Sequence, residues 1–307
     1  MRFRKRVACL VAVFVLSLTP AAWAQETTLP SMLAAAEQAV YGQEQAGSFL
    51  DRVARLERDL YGEVESGPLL VRLQNVYGYV TGFASGPSSV AVQLNAVEYV
   101  VFQRMTSGVP LTRRLDELER NILGATQQGM PLAERVQSLV ELVWPSGELN
   151  VQPVMLPSQT LVRIHLLTEI NSAHSQVGQP IRYRVVEDVI VDGRIVIPAG
   201  AEGEGTVTSV QSAGRFGQAG RVEVDWGTVP AIDGTAVKMS VSERAAKQNQ
   251  ELAVAASVAG VVLLGPIGVV GGYFVQGKEH VVPVGTQFYV EVAREAKVAG
   301  LALTPAR

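Results

Sequence analysis

The sequence is poor in the side chains that catalysis and metal binding most often require. Its single cysteine, Cys9, lies in an N-terminal segment predicted to be removed, which excludes disulfides, thiolate metal sites and cysteine nucleophiles from the mature chain. No H-E-x-x-H, G-x-S-x-G or S-x-x-K motif occurs, and the three histidines stand far apart: His165, His174 and His280. We predict a non-enzymatic protein without cofactor or metal; an enzyme acting on cell-wall polymers is an alternative.

Basic residues are in the minority after the first 24 positions. Residues 25–307 contain 22 lysines and arginines and 29 acidic residues. The resulting net charge of −7 argues against a nucleic-acid partner, because phosphate binding needs a basic surface. The same balance argues against a general electrostatic attraction to anionic lipid.

Residues 1–24 have the parts of a secretory signal peptide. A basic start precedes an apolar core, and Ala22-Trp23-Ala24 fits the small-x-small cleavage pattern. The alternative is that residues 1–24 stay on the protein as an uncleaved N-terminal anchor. We therefore expect export to the periplasm or outer membrane of a Gram-negative-type cell. The remaining chain is long enough for two domains.

Residues 25–150 contain a tandem repeat whose copies start at 37, 57, 77, 98 and 119, a period of 20 or 21 residues. Apolar residues at three- and four-residue steps, with prolines at helix starts and glycines at helix ends, predict a short amphipathic helix and a turn per copy. Helices of about 12 residues are marginal alone, so neighbouring copies must stack. One large side chain per well-formed copy is predicted to pack at the repeat interface: Tyr41, Tyr61, Phe102 and Leu123.

Stacked helical repeats commonly serve as adaptors or spacers, which predicts envelope proteins or peptidoglycan as partners. An ordinary helical bundle, whose repeats record duplication alone, is the alternative. The repeats are not assigned to a family.

Residues 151–295 alternate polar and apolar residues over six or seven short runs, the pattern of half-buried strands. Asp192-Gly193 and Asp233-Gly234 separate pairs of such runs and are strong hairpin signals. The pattern predicts a closed or nearly closed antiparallel β-barrel, followed by a tail at 296–307.

Residues 156–293 resemble the barrel domain of the outer-membrane core subunit of type IV secretion and conjugation channels. The similar features are a strand ending in Asn171-Ser172, the turn Ile197-Pro198-Ala199-Gly200, a "VEVDWG" strand and the closing turn Pro283-Val284-Gly285-Thr286. The resemblance implies a barrel with a helical insertion that contributes to an outer-membrane pore. The chain departs from that family because helical repeats replace its Pro-rich linker, and a cleavable signal replaces its retained inner-membrane helix.

Residues 252–275 carry no charge, and as one helix they would span ~36 Å, enough to cross a hydrocarbon core of ~30 Å. Pro266 favours a break into two shorter arms, which cannot span. Glycines allow close packing of these arms, as in glycine-zipper segments: Gly260, Gly265, Gly268, Gly271 and Gly272. Together with Pro266 they form the predicted membrane or packing segment. The segment is predicted either to meet the membrane or to be buried in the protein.

These patterns predict an α+β multidomain fold, with N-terminal α-helical repeats and a C-terminal antiparallel β-barrel that carries a glycine-rich helical (hairpin) insertion. The predicted function is that of a cell-envelope protein anchored in or on the outer membrane through residues 252–275, with homo-oligomers allowed. The alternative is a soluble periplasmic binding or adaptor module with the apolar segment buried in the barrel.

Overall fold

The structure is a computed structural model that describes residues 28–81, 89–106, 108–144, 146–214, 220–255 and 279–303. The predicted signal peptide lies outside the described residues. So do the six positions from Gly260 to Gly272 that were predicted as a membrane or packing segment.

The described residues of the N-terminal half form six short helices: α1 (Leu29–Tyr41), α2 (Phe49–Tyr61), α3 (Leu69–Thr81), α4 (Val90–Phe102), α5 (Leu111–Ile122) and α6 (Leu132–Val143). Their spacing confirms the helical repeats. Gly42 and Gly62 end α1 and α2 in the left-handed conformation, with φ of 82° and 87°. Each of these glycines donates its backbone N–H to a carbonyl of the last helical turn, so the chain turns sharply after α1 and after α2.

The helices pack into one bundle, in which α1 packs against α3, α3 against α4, and α4 against α6. The ends of α1 and α2 contact the starts of α5 and α6. Leucines and valines on the inner face of each helix are fully buried and supply most of the core, including Leu33, Leu56, Leu73, Leu94, Leu115 and Leu139.

Helix α4 begins in the degenerate repeat. It is apolar on nearly all sides, and its residues are buried on nearly all sides. Besides the other helices, it contacts the β-structure. Asn95 Nδ2 donates to the Ile232 carbonyl at 2.7 Å, and the Tyr99 hydroxyl donates to Asp188 at 2.6 Å. The helical and β regions therefore share one continuous hydrophobic core.

The C-terminal half contains twelve strands and one helix among its described residues: β1 (Asn150–Leu156), β2 (Leu161–Leu166), β3 (Ile170–Asn171), β4 (Pro180–Val185), β5 (Val189–Val191), β6 (Arg194–Ile197), β7 (Glu202–Gln211), β8 (Arg221–Pro230), β9 (Ala236–Ser240), α7 (Glu243–Ala255), β10 (Val281–Val282), β11 (Gln287–Val292) and β12 (Ala296–Ala302). Six strands form a closed antiparallel barrel in the order β11-β2-β4-β7-β8-β9, which confirms the predicted barrel. The four strands β1-β12-β6-β5 form a second sheet, and β10 pairs with β3.

Residues 296–307 were predicted as a tail, but Ala296–Ala302 form strand β12. This strand pairs with β1 along its whole length, from Leu156–Ala296 to Asn150–Ala302. Gly300 allows the close approach, because a side chain there would meet Val154 and Arg194. The pairing partner lies about 150 positions earlier, so local pattern alone did not reveal it.

Three aromatic side chains fill the barrel. Trp226 lies between Tyr183 and Phe288, with ring centroids 5.8 Å and 4.9 Å away and edge-on geometry. The Tyr183 hydroxyl donates to the Trp226 carbonyl at 2.7 Å, which satisfies its buried polar atom. The barrel interior is therefore packed with side chains.

Strands β9 and β11 close the barrel but pair directly at only two positions. Helix α7 extends this contact by binding to β11. Beyond that point the Asn249 amide accepts from the Tyr289 backbone N–H and donates to its carbonyl, as a neighbouring strand would. The helix that leads into the apolar segment is thus fastened to the barrel wall.

Candidate binding cleft in the helical repeats

Four of the repeats contain a buried glutamate that pairs with an arginine 15 or 16 positions further along the chain. The glutamate lies in the last turns of one helix and the arginine in the first turn of the next. Two parallel N–H bonds join each pair: Glu37–Arg52, Glu57–Arg72, Glu98–Arg114 and Glu119–Arg135. Such bidentate pairs fix orientation as well as distance.

Three of these carboxylates also hold the loop between the two helices. The backbone N–H groups of Gln45, Thr106 and Gln127 donate to Glu37, Glu98 and Glu119 at 3.0, 2.8 and 2.9 Å. Each carboxylate therefore links two helices and the intervening loop. In the degenerate copy, Tyr77 and Val92 stand where the glutamate and arginine would be expected.

A cleft of about 610 Å³ opens where the ends of α1 and α2 meet the starts of α5 and α6. The Thr112 hydroxyl donates to the Val40 carbonyl at 3.0 Å, and Pro110 and Pro131 contact Gly42 and Gly62. The cleft is lined by residues of all four helices and of the loop before α6: Tyr41, Arg58, Asp59, Gly62, Thr112, Asp116, Gln128, Gly129, Met130, Pro131, Leu132 and Arg135.

Most polar groups of the cleft are held in place by other cleft residues. The Tyr41 hydroxyl donates to Asp59 at 2.6 Å, and Arg135 donates to Asp116 at 2.6 Å. Burial and the neighbouring Asp59 carboxylate raise the pKa of Tyr41 well above its ordinary value, so its hydroxyl stays protonated. These contacts present the carboxylates in defined positions.

Arg58 is the exception. Its Nε donates to the Ala54 carbonyl of its own helix at 3.1 Å, and it forms no ion pair within the described part of the chain. The exposed guanidinium therefore has donors left for a ligand. With Asp59 and Asp116 it places both signs of charge beside the apolar side chains of Met130 and Leu132. This combination suits a ligand with polar and apolar groups in alternation.

The four predicted repeat-interface residues have different surroundings. Tyr41 lies in the cleft, while Tyr61 is half-buried with its ring centroid 5.5 Å from that of Tyr79. Phe102 is half-buried, and the Arg104 guanidinium lies 5.5 Å from its ring centroid. Leu123, at the end of α5, is exposed.

His165 and Glu202 are titratable groups on strands of the barrel wall. His165 lies opposite Arg184 and Gln287 on neighbouring strands, and burial, together with repulsion from Arg184, lowers its pKa. Burial raises the pKa of Glu202, but hydrogen bonds from Arg184 and Arg182 outweigh it and hold that pKa below its usual value. Within the described ranges no cluster of three or more His, Cys, Asp and Glu side chains could hold a metal ion.

The predicted membrane segment 252–275 lies mostly outside the described residues; its first four positions belong to α7. Among the helices of the described ranges, none combines the length and the apolar character needed to cross a membrane.

No protein-family model and no curated protein matches the sequence. Nineteen chains of solved structures match, among them ComB10 of the Com type IV secretion system of Helicobacter pylori. That match covers 47% of this chain and 90% of that chain, with 12% identity and a TM-score of 0.27. At this TM-score and identity the match assigns neither a family nor a function to this chain.

Proposed function

We propose that this protein is a non-enzymatic adaptor of the cell envelope, which holds an extended segment of another envelope protein in the cleft between its helical repeats. The observation that carries the proposal is the Arg58 guanidinium, which has no ion-pair partner among the described residues and lies beside the positioned carboxylates of Asp59 and Asp116. A polypeptide offers both carbonyl acceptors for Arg58 and N–H donors for the carboxylates. The cleft volume of about 610 Å³ accommodates a few residues of such a segment.

The repeats give the cleft its rigidity. Each wall is a helix end or start held by a buried Glu–Arg pair, so little conformational freedom remains to be lost on binding. The barrel, joined to α4 through one core, acts in this proposal as the base that places the cleft relative to the envelope.

Arg58→Ala should reduce capture of the partner at least about tenfold, because a charge-assisted hydrogen bond is lost. The matched control is Arg120→Ala. Arg120 also follows a buried glutamate and donates to a carbonyl of its own helix, at 2.9 Å, but it does not line the cleft. The measurement is the yield of a crosslink formed in cells by a photoreactive residue at Gln128, with Gln137 on the exposed face of α6 as the control position.

The proposal requires a protein adduct at position 128 that weakens with Arg58→Ala and persists with Arg120→Ala. Equal crosslink yields from Arg58→Ala and Arg120→Ala would show that Arg58 does not contribute to binding. That result would overturn the proposed mode of binding. An adduct to peptidoglycan instead of protein would assign the cleft to the cell wall.

We further propose that residues 252–275 attach the protein to the outer membrane. The intact protein is then expected in the membrane fraction after osmotic release, and a 252–275 deletion in the soluble fraction. Recovery of the intact protein in the soluble fraction would instead favour a soluble periplasmic adaptor. This outcome is independent of the crosslink at the cleft.

A further inference from the structure

One contact occurs twice inside the helical repeats. The end of α1 rests on the start of α5, and the end of α2 rests on the start of α6. A Cβ atom at Gly42 would lie 2.6 Å from Pro110 Cγ, and one at Gly62 would lie 3.0 Å from Pro131 Cγ. In both cases the glycine of a Tyr-Gly helix end lies against the proline at the start of another helix.

The starts of α2 and α3 have equivalent sequences but are more exposed. Leu50 and Leu70 are 57% and 48% exposed, and Phe49 and Leu69 are half-buried. Leu111 and Leu132, which match Phe49 and Leu69, lie at the two starts that helix ends contact and are only 5% and 6% exposed. The paired arginines follow the same trend, since those of α2 and α3 are more exposed than those of α5 and α6.

The end of α5 is the complementary half of this contact. Leu123-Gly124 corresponds to Tyr41-Gly42 and Tyr61-Gly62 in the repeat. Leu123 is exposed, and a Cβ at Gly124 would meet no atom of the described structure within 4 Å. Within the described residues, one chain therefore carries both an uncovered helix end and uncovered helix starts.

We propose that the end of α5 in one molecule covers the start of α3 in a second copy, with Gly124 resting on Pro68 as Gly62 rests on Pro131. The two internal contacts define what fits such a start, namely a helix end with one large side chain and a glycine. Because end and start are different surfaces, the contact is head-to-tail, and repetition produces a ring or an open filament. The proposal does not depend on the ligand of the cleft, which the ends of α1 and α2 border.

The test uses the full chain after signal removal, with mass measured by sedimentation across a range of concentrations. The wild type should gain mass as concentration rises. Leu70→Glu and Leu123→Glu should each weaken association more than about tenfold, because the contact would bury an unpaired carboxylate. Leu142→Glu, at an exposed leucine on α6, is the matched control and should associate like the wild type.

Mixing the two variants tests the direction of the contact. Leu70→Glu keeps an intact end and Leu123→Glu keeps an intact start, so the mixture should form dimers and nothing larger. A wild type that stays monomeric, an equal loss in Leu142→Glu, or a mixture that stays monomeric would each overturn the proposal. Unchanged circular dichroism in all variants would establish that the changes act on association and leave folding intact.

Discussion

Replacing Glu119 with alanine is expected to lower the free energy of unfolding by about 3 to 5 kcal/mol. The Glu119 carboxylate is fully buried and accepts two hydrogen bonds from Arg135 and one from the Gln127 backbone. The alanine would leave the Arg135 guanidinium, itself buried, with only Asp116 as a carboxylate partner. The change removes the link between α5, α6 and their loop at once, and urea unfolding measures the loss.

The control for this prediction is Glu117→Ala. Glu117 also pairs with an arginine, Arg104, at 3.0 Å, but both side chains are about half exposed. Exposed pairs contribute about 0 to 1 kcal/mol, so Glu117→Ala should change stability by no more than that. Glu119→Gln, which keeps a hydrogen-bond acceptor without the charge, should fall between the two. Similar losses in Glu119→Ala and Glu117→Ala would mean that burial does not set the strength of the repeat pairs.

Gly227→Ala is expected to cost at least about 3 kcal/mol and to disturb closure of the barrel. Gly227 has φ of 56°, a conformation that favours glycine, and an added Cβ would overlap the Glu204 carbonyl oxygen of the neighbouring strand. The register of β7 and β8 shifts at this point, and Asp225 accepts the Gly227 N–H at 3.0 Å. The backbone therefore has little room to move aside.

The comparison is with Gly234→Ala, in the turn between β8 and β9. Gly234 also has a positive φ, of 83°, but an added Cβ would meet no described atom within 4 Å. This substitution should cost only about 1 kcal/mol, the price of the backbone conformation. Near-ultraviolet circular dichroism of the aromatic barrel core and urea unfolding provide the measurements. Equal costs at the two glycines would show that the approach of β7 to β8 is not tight.

Helix ends and strand alternation could be predicted because their causes are local. Gly42 and Gly62 end helices since glycine tolerates the left-handed conformation, whatever surrounds it. The hairpin at Asp192-Gly193 joins β5 to β6 for a similarly local reason. The repeat period also indicated that the helices stack, because each buries the same face.

The Glu–Arg pairs could have been predicted from the sequence but were not identified from it. Glu37 and Arg52 recur in register as Glu57 and Arg72, and the spacing of 15 or 16 persists in two later copies. That constant spacing was the available signal. Interpreting it required knowing that the last turns of one helix face the first turn of the next, which follows from packing.

The sequence by itself determined the helical repeats and the antiparallel barrel, because caps, turns and apolar periods act over a few residues. Only the tertiary structure decided where the cleft lies and which helix ends are left uncovered by the described parts of the chain. Tyr41 and Gln128 stand far apart in sequence, and β12 pairs with a strand about 150 positions earlier. Such contacts depend on how whole helices and sheets pack, and the free energy of that packing is spread over many side chains that no short motif contains.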